Sequence, residues 1–320
     1  MFSFLETLFL LCSLALSLAL VVPLTGVLVR FRANYNPKGL QLDAEGGAQP
    51  YTGPIIRSYF SMFMRVYRIE GVPGLYKGFM PTTLSTLIVT ILILLFLDAE
   101  PRHGAYRAPD VGILGTLVYS LGMMLISLPT VILTYRAITT PHKLSYFNIT
   151  QSLRVLLTPT ERRRPWILYL TPGLLAAEVS HISLVVLGLA PLRRLLLPSV
   201  TKYRLSISDI SMFKLTIYFT IVGVSTMILT PLEVIAARLA IQRNHASAEY
   251  NSVSQEVEGD AEDMPEYSGA EEDVIGLRSE ADPYVGLVDC GKRIIHEEGW
   301  TTLYRAWWLT LLGGLASALS

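Results

Sequence analysis

Apolar residues gather into six long runs along the 320-residue chain, at about 2–30, 84–97, 111–133, 168–192, 212–229 and 307–319. A helix that crosses a hydrocarbon core needs about 20 mainly apolar residues. Several runs reach that length, and the last is marginal. Polar connectors separate the first run from the second, the third from the fourth and the fifth from the sixth. Each connector holds a shorter segment with helical periodicity. The first, at 55–69, sets Tyr59, Phe63, Val66 and Tyr67 near one face. The others fall at 149–157 and 285–298. The pattern predicts an all-α membrane protein with six transmembrane helices. Long helix, connector, short helix and long helix recur three times, over about 1–100, 108–200 and 207–320.

The same short motif closes each odd-numbered run. It reads Pro23-Leu-Thr-Gly-Val-Leu-Val-Arg30, Pro129-Thr-Val-Ile-Leu-Thr-Tyr-Arg136 and Pro231-Leu-Glu-Val-Ile-Ala-Ala-Arg238. A device repeated about every hundred residues marks three copies of one structural unit. Proline removes an amide donor and crowds the preceding turn, so each odd helix is predicted to bend there. After the short helix, repeat one has Glu70-Gly71 and Tyr76-Lys77-Gly78, and repeat three has Glu298-Gly299 and Tyr304-Arg305-Ala306. Repeat two keeps only Leu168-Tyr169 of this signature.

Composition sharpens the picture. Hydrophobic residues make up 51% and charged residues 16%, well under the roughly 25% charged share of soluble domains. The 26 basic and 26 acidic residues cancel, which leaves no nucleic-acid footprint. Cys12 and Cys290 are too few for a disulfide framework or a four-ligand zinc site, and the five histidines show no ligand spacing. The early charge is Glu6 rather than a basic cluster, and the apolar run continues past Pro23. Residues 2–30 therefore read as a transmembrane helix and not as a cleaved signal. Residues 244–282 carry twelve acidic side chains against Arg278 alone, a composition expected of a flexible loop. That loop is either a solvated insertion or a docking segment for a protein partner.

The tripartite proline–arginine spacing and the Tyr76-Lys77-Gly78 signature resemble the mitochondrial carrier family over essentially the whole chain. The resemblance implies the carrier fold, with six helices in three pseudo-symmetric repeats. In that family the motif continues with an acid two residues after the proline and bases five and seven residues after it. Here the acid positions are Thr25, Val131 and Glu233, and the first base positions are Leu28, Thr134 and Ala236. The family closes its matrix side with a ring pairing each acid to the first base of the next repeat. With Glu233 as the one acid left and no such base, that ring cannot form as the family builds it. Arg30, Arg136 and Arg238 survive at the last position. On the opposite side, the family's pattern puts an acid at Asp98 and a base at Arg194, a possible interhelical pair. Counting from the signature tyrosines puts the family's substrate contacts at Ser85, Glu178 and Gly313, with His181 on the same helix face as Glu178. An ionisable group at mid-membrane depth usually faces a cavity or a partner. Glu178 therefore reads as a structural hydrogen-bonding group, to His181 or across helices, or as a substrate or proton contact.

Two functions are compatible with these residues. One is transport of an unidentified small metabolite. The other is a non-transporting scaffold or membrane-dynamics factor built on the carrier fold, suggested by the eroded ring, the short last run and the acidic insert. Either is a multi-pass protein of a mitochondrial membrane. The inner membrane is the family's site and the outer membrane the alternative. The Arg162-Arg163-Arg164 run suits anionic, cardiolipin-like lipid headgroups, and Trp300, Trp307 and Trp308 suit the interfacial belt. No phosphate loop, nucleophile elbow or carboxylate pair suggests an enzyme or a cofactor.

Overall fold

The computed structural model describes residues 4–38, 41–42, 48–49, 54–96, 112–145, 148–197, 211–244, 268, 273–280 and 282–319. Eleven α-helices are described. Repeat one supplies α1 (Phe4–Ala33), α2 (Tyr59–Leu75) and α3 (Phe79–Phe96). Two two-residue strands, β1 (Gln41–Leu42) and β2 (Ala48–Gln49), pair antiparallel in its connector. Repeat two supplies α4 (Gly112–Thr139), α5 (Ile149–Leu156), α6 (Pro159–Arg163), α7 (Leu174–Ser183) and α8 (Ala190–Leu196). Repeat three supplies α9 (Met212–Ile241), α10 (Leu287–Glu297) and α11 (Trp307–Leu319).

Among the described residues, four helical segments are long and apolar enough to cross a membrane: Cys12–Ala33, Gly112–Thr139, Leu174–Leu196 and Met212–Ile241. The two remaining apolar helices, α3 and α11, are shorter. Leu16, Leu114, Val118 and Phe213 point outward with more than half of their surface free. Such an exterior suits lipid, where every backbone group must find a partner inside the protein. Hydroxyls comply by bonding back along their own helix. Thr82 and Thr86 in α3, and Thr226 and Thr230 in α9, each donate to the carbonyl four residues before.

The prolines sit inside α1, α4 and α9. Each frees the carbonyl four residues upstream, because proline has no amide hydrogen. In α1 that carbonyl is Ala19, and it accepts from the Tyr76 hydroxyl at 3.0 Å. In α9 it is Met227, and it accepts from the Tyr304 hydroxyl at 3.3 Å. The signature tyrosine thus repairs the defect that the motif proline makes.

The chain divides into two compact units. One comprises Met1–Ile88, Pro129–Thr171 and Ala240–Pro283. Its first repeat packs α2 against α1 through Tyr59, Met62 and Val66, all buried. The expected face is corrected here: Met62 takes the central place, Phe63 lies at the margin and Tyr67 is exposed. The helix also starts later than the periodicity suggests, because Ser58 forms a capping box with Ser61. The other unit comprises Val89–Leu128, Pro172–Leu239 and Tyr284–Ser320. Its core gathers Leu189, Leu197, Tyr218, Val222 and Leu229. Within it, α7 runs into a π-helical stretch, Leu184–Leu189, before α8. Pro191 follows at once, and the Ala190 amide reaches back to Val185 instead of one residue nearer. The wider turn accommodates a proline that can neither donate nor tolerate the usual carbonyl position.

A residue in the left-handed region precedes each even helix: Gly78 (φ 86°), Gly173 (φ 80°) and Ala306 (φ 57°). At Gly173 a Cβ would lie 2.2 Å from the Leu287 amide nitrogen and 2.6 Å from the Gly286 carbonyl carbon. Both obstacles are backbone and cannot swing aside. Gly173→Ala is expected to destabilise by roughly 2–5 kcal/mol, combining left-handed strain with overpacking. Gly223→Ala, in α9 with nothing within 4 Å of the added Cβ, should instead stabilise by about 0.5–1 kcal/mol. Thermal unfolding in detergent measures both, and equal effects would contradict this packing.

Candidate functional site

The three motif arginines are buried, each against a glutamate from later in its own repeat. Arg30 meets Glu70 at 2.6 Å, Arg136 meets Glu161 at 2.7 and 3.0 Å, and Arg238 grips Glu298 with both terminal guanidinium nitrogens. No side chain of the six is more than 3% exposed. In repeats one and three the acid precedes a glycine with positive φ, Gly71 at 68° and Gly299 at 100°. In repeat two no glycine follows. Glu161 instead occupies the third position of α6, where its carboxylate accepts from the Thr158 amide and the Thr158 hydroxyl caps the helix. The acid–glycine signature cannot reveal Glu161, but the capping-box pattern Thr158-x-x-Glu161 can. Burial pushes the Glu161 carboxyl up. The hydrogen bonds and charge of Arg136 and the amides of Asn244 and Thr158 outweigh it, and hold the group below the ordinary carboxylate range.

Within the first unit these pairs also reach the next repeat. The last carbonyls of a helix have no partner of their own. Arg30 Nε donates to Ile138 O at 2.9 Å, and Lys77 Nζ to Thr140 O at 2.9 Å, at the end of α4. Arg136 Nη2 donates to Gln242 O at 2.7 Å, just past α9. Asn244, the first residue of the acidic stretch, is buried there and donates to Glu161, Ile167 and Thr171. Cations at helix C-termini also complement the macrodipole.

The central positions divide between the units. Ser85, in the first, accepts a hydrogen bond from Thr130 Oγ1 at 3.0 Å. In the second, Glu233 accepts from Thr310 Oγ1 at 2.6 Å and lies 3.3 Å from His181 Nε2. His181 therefore turns to Glu233, and a Glu178–His181 hydrogen bond is not formed. Glu178 is partly buried, makes no hydrogen bond among the described residues, and lies in the fields of His181 and Glu233. Gly313 has open space where a side chain would be. Seven residues after the left-handed residue come Ser85, Gly313 and, in repeat two, Ser180. By that count Glu178 stands two residues nearer the start of α7, because Tyr169 precedes its left-handed residue by four positions rather than two. Thr310 carries no motif and was not legible in the sequence. Arg194 is exposed near the end of α8, and Asp98 lies outside the described residues, as do residues 245–267 of the acidic stretch. No cluster of metal ligands occurs among the described residues.

Residues 11–100 and 219–320 match the family model described as mitochondrial carrier protein. The chain belongs to the mitochondrial carrier family. No curated protein matches it. Membership makes this an all-α, multi-pass protein of a mitochondrial membrane, in a family of membrane solute carriers. The unmatched stretch between the two matches covers all of repeat two. There this carrier family member has replaced the acid–glycine pair by a helix cap while keeping the buried ion pair.

Breaking a buried pair strands a charge, so Arg136→Ala should cost about 3–5 kcal/mol. The double change Arg136→Met with Glu161→Leu should recover part of that loss, as read by thermal unfolding in detergent. Full additivity would mean that the pair is not coupled.

Lys77 gives a pH signature. It lies outside the membrane-spanning segments. Burial lowers its pKa from 10.5 to about 8, with Glu70 opposing the shift and Arg30 adding to it. A base with a depressed folded pKa contributes stability that is fully present above the unfolded value and is lost as pH falls through the folded one. Stability of the native protein relative to Lys77→Met should therefore rise between pH about 8 and 10.5 and be flat on either side. A flat difference throughout that window would show that Lys77 is not desolvated.

Proposed function

We propose that the protein carries a small metabolite bearing a cationic group, or a proton with it, across the inner mitochondrial membrane through six spans. Glu178 supports this reading. It is a partly buried carboxylate within a span that makes no hydrogen bond among the described residues. Such a group is expensive in a membrane unless it faces water or a ligand. Glu233, His181 and Thr310 form a linked polar group in the same unit. Gly313, in the same unit, has open space where a side chain would be. With the Glu178 and Glu233 carboxylates near each other in this unit, nucleotides and multivalent anions are poor candidates. Exposed Arg162–Arg164, with the Arg164 guanidinium 5.8 Å over the Trp166 ring, would hold anionic headgroups at the membrane surface.

Uptake into proteoliposomes, with a panel of amino acids, polyamines, carboxylates, nucleotides and phosphate, tests the reading. A cationic or zwitterionic solute should be taken up, and Glu178→Gln should reduce that uptake at least about tenfold, as expected when a charge-assisted contact is lost. Insertion and folding should persist. Uptake by Glu178→Gln equal to the native rate would move the site elsewhere. Absence of uptake for the whole panel would remove the transport reading itself.

A further inference from the structure

The C-terminal part of the acidic connector is docked on the proline–arginine helices. The Tyr35 amide donates to Gly276 O at 2.8 Å, and the Gly276 amide returns a bond to Asn34 Oδ1 at 3.0 Å. Arg65 of α2 donates to Val274 O at 3.0 Å and to Asp273 O at 2.9 Å. Val274 and Ile275, an apolar pair straight after an acidic run, are buried. Ser268, upstream, donates its amide to Pro141 O at 2.9 Å. Downstream, Glu280 lies 3.6 Å from Arg243, which also donates to Val155 O at 3.2 Å.

These contacts share a register. Helices α1, α4 and α9 end at Ala33, Thr139 and Ile241. Tyr35, Pro141 and Arg243 each stand two residues past one of those ends. One connector therefore touches the equivalent point of all three motif helices, and every contact lies within one compact unit. At the motif's first base positions stand Leu28, Thr134 and Ala236, so no charge there can tie the helices to one another. We propose that Asp273–Glu280, together with Ser268, is a strap that holds the three helix ends together and keeps that face closed until the strap is displaced. Separating the ends breaks the Tyr35–Gly276 backbone bond and the Gly276 amide's bond to the Asn34 side chain, exposes Val274 and Ile275 and strands two carbonyls bound by Arg65. Displacing the strap shifts the population toward the open face.

The test needs no substrate, so its failure is distinguishable from failure of the transport reading. In a Cys12→Ser, Cys290→Ala background reconstituted in liposomes, Tyr35→Cys with Gly276→Cys should form a disulfide under mild oxidation. Val131→Cys, at the repeat-two counterpart of Glu233, then reports on opening through its rate of reaction with a membrane-impermeant maleimide. Val274→Asp with Ile275→Asp should raise that rate about tenfold or more, and Arg65→Gln should raise it less. Closing the 35–276 disulfide should lower it. If the double aspartate variant fails to elute as a folded monodisperse species, Arg65→Gln and the disulfide lock decide between them. Failure of the disulfide to form, or one labelling rate for the folded released, native and locked forms, would overturn the strap.

Discussion

A backbone carbonyl without a partner costs a chain several kcal/mol in a membrane. This protein creates such defects deliberately, at three prolines and at the ends of three long helices. Much of its polar chemistry answers them. Tyr76 and Tyr304 serve the carbonyls that Pro23 and Pro231 release. Arg30, Lys77 and Arg136 serve carbonyls at helix ends. The hydroxyls along α3 and α9 serve their own helices. The arginines can do this because their charge is already matched: Arg30 spends one donor and Arg136 two on the glutamate, and each has others left for carbonyls. The ion pairs are thus anchors for cap donors as much as sources of attraction.

That division of labour explains which family features this chain could lose. A charged ring between motif positions works by contact between side chains, and Leu28, Thr134 and Ala236 bring no charge that needs a partner, the Thr134 hydroxyl donating to Thr130 O in its own helix. Losing an arginine, by contrast, would strand a buried glutamate and open a helix end. The retained residues are those whose removal exposes something else. The same logic accounts for repeat two, where the glycine after the acid is gone and a threonine cap positions Glu161 instead.

Local features were legible in the sequence. The apolar runs gave the long helices, and the proline–arginine spacing gave three equivalent sites. Partners distant in the chain were not. Periodicity cannot say that His181 faces Glu233 rather than Glu178, since that choice depends on how α7 and α9 meet. Composition hid the docked segment: averaged over the acidic stretch, the Val274–Ile275 pair carries no weight, although both residues are buried where it docks. Glu161 was readable in principle, because Thr158 and Glu161 spell a capping box, but a signature that demands glycine passes over it.

The π-helical stretch at Leu184–Leu189 bears on every position beyond it. Each residue of an α-helix advances the side-chain direction by about 100°. A single wide turn absorbs one residue without advancing the helix, so everything downstream is out of phase with a count begun at the helix start. Arg193 and Arg194 therefore face about a quarter-turn away from where uninterrupted numbering would aim them. Arg194 thus takes the direction that an uninterrupted count assigns to Arg193, and Arg193 the one it assigns to Leu192.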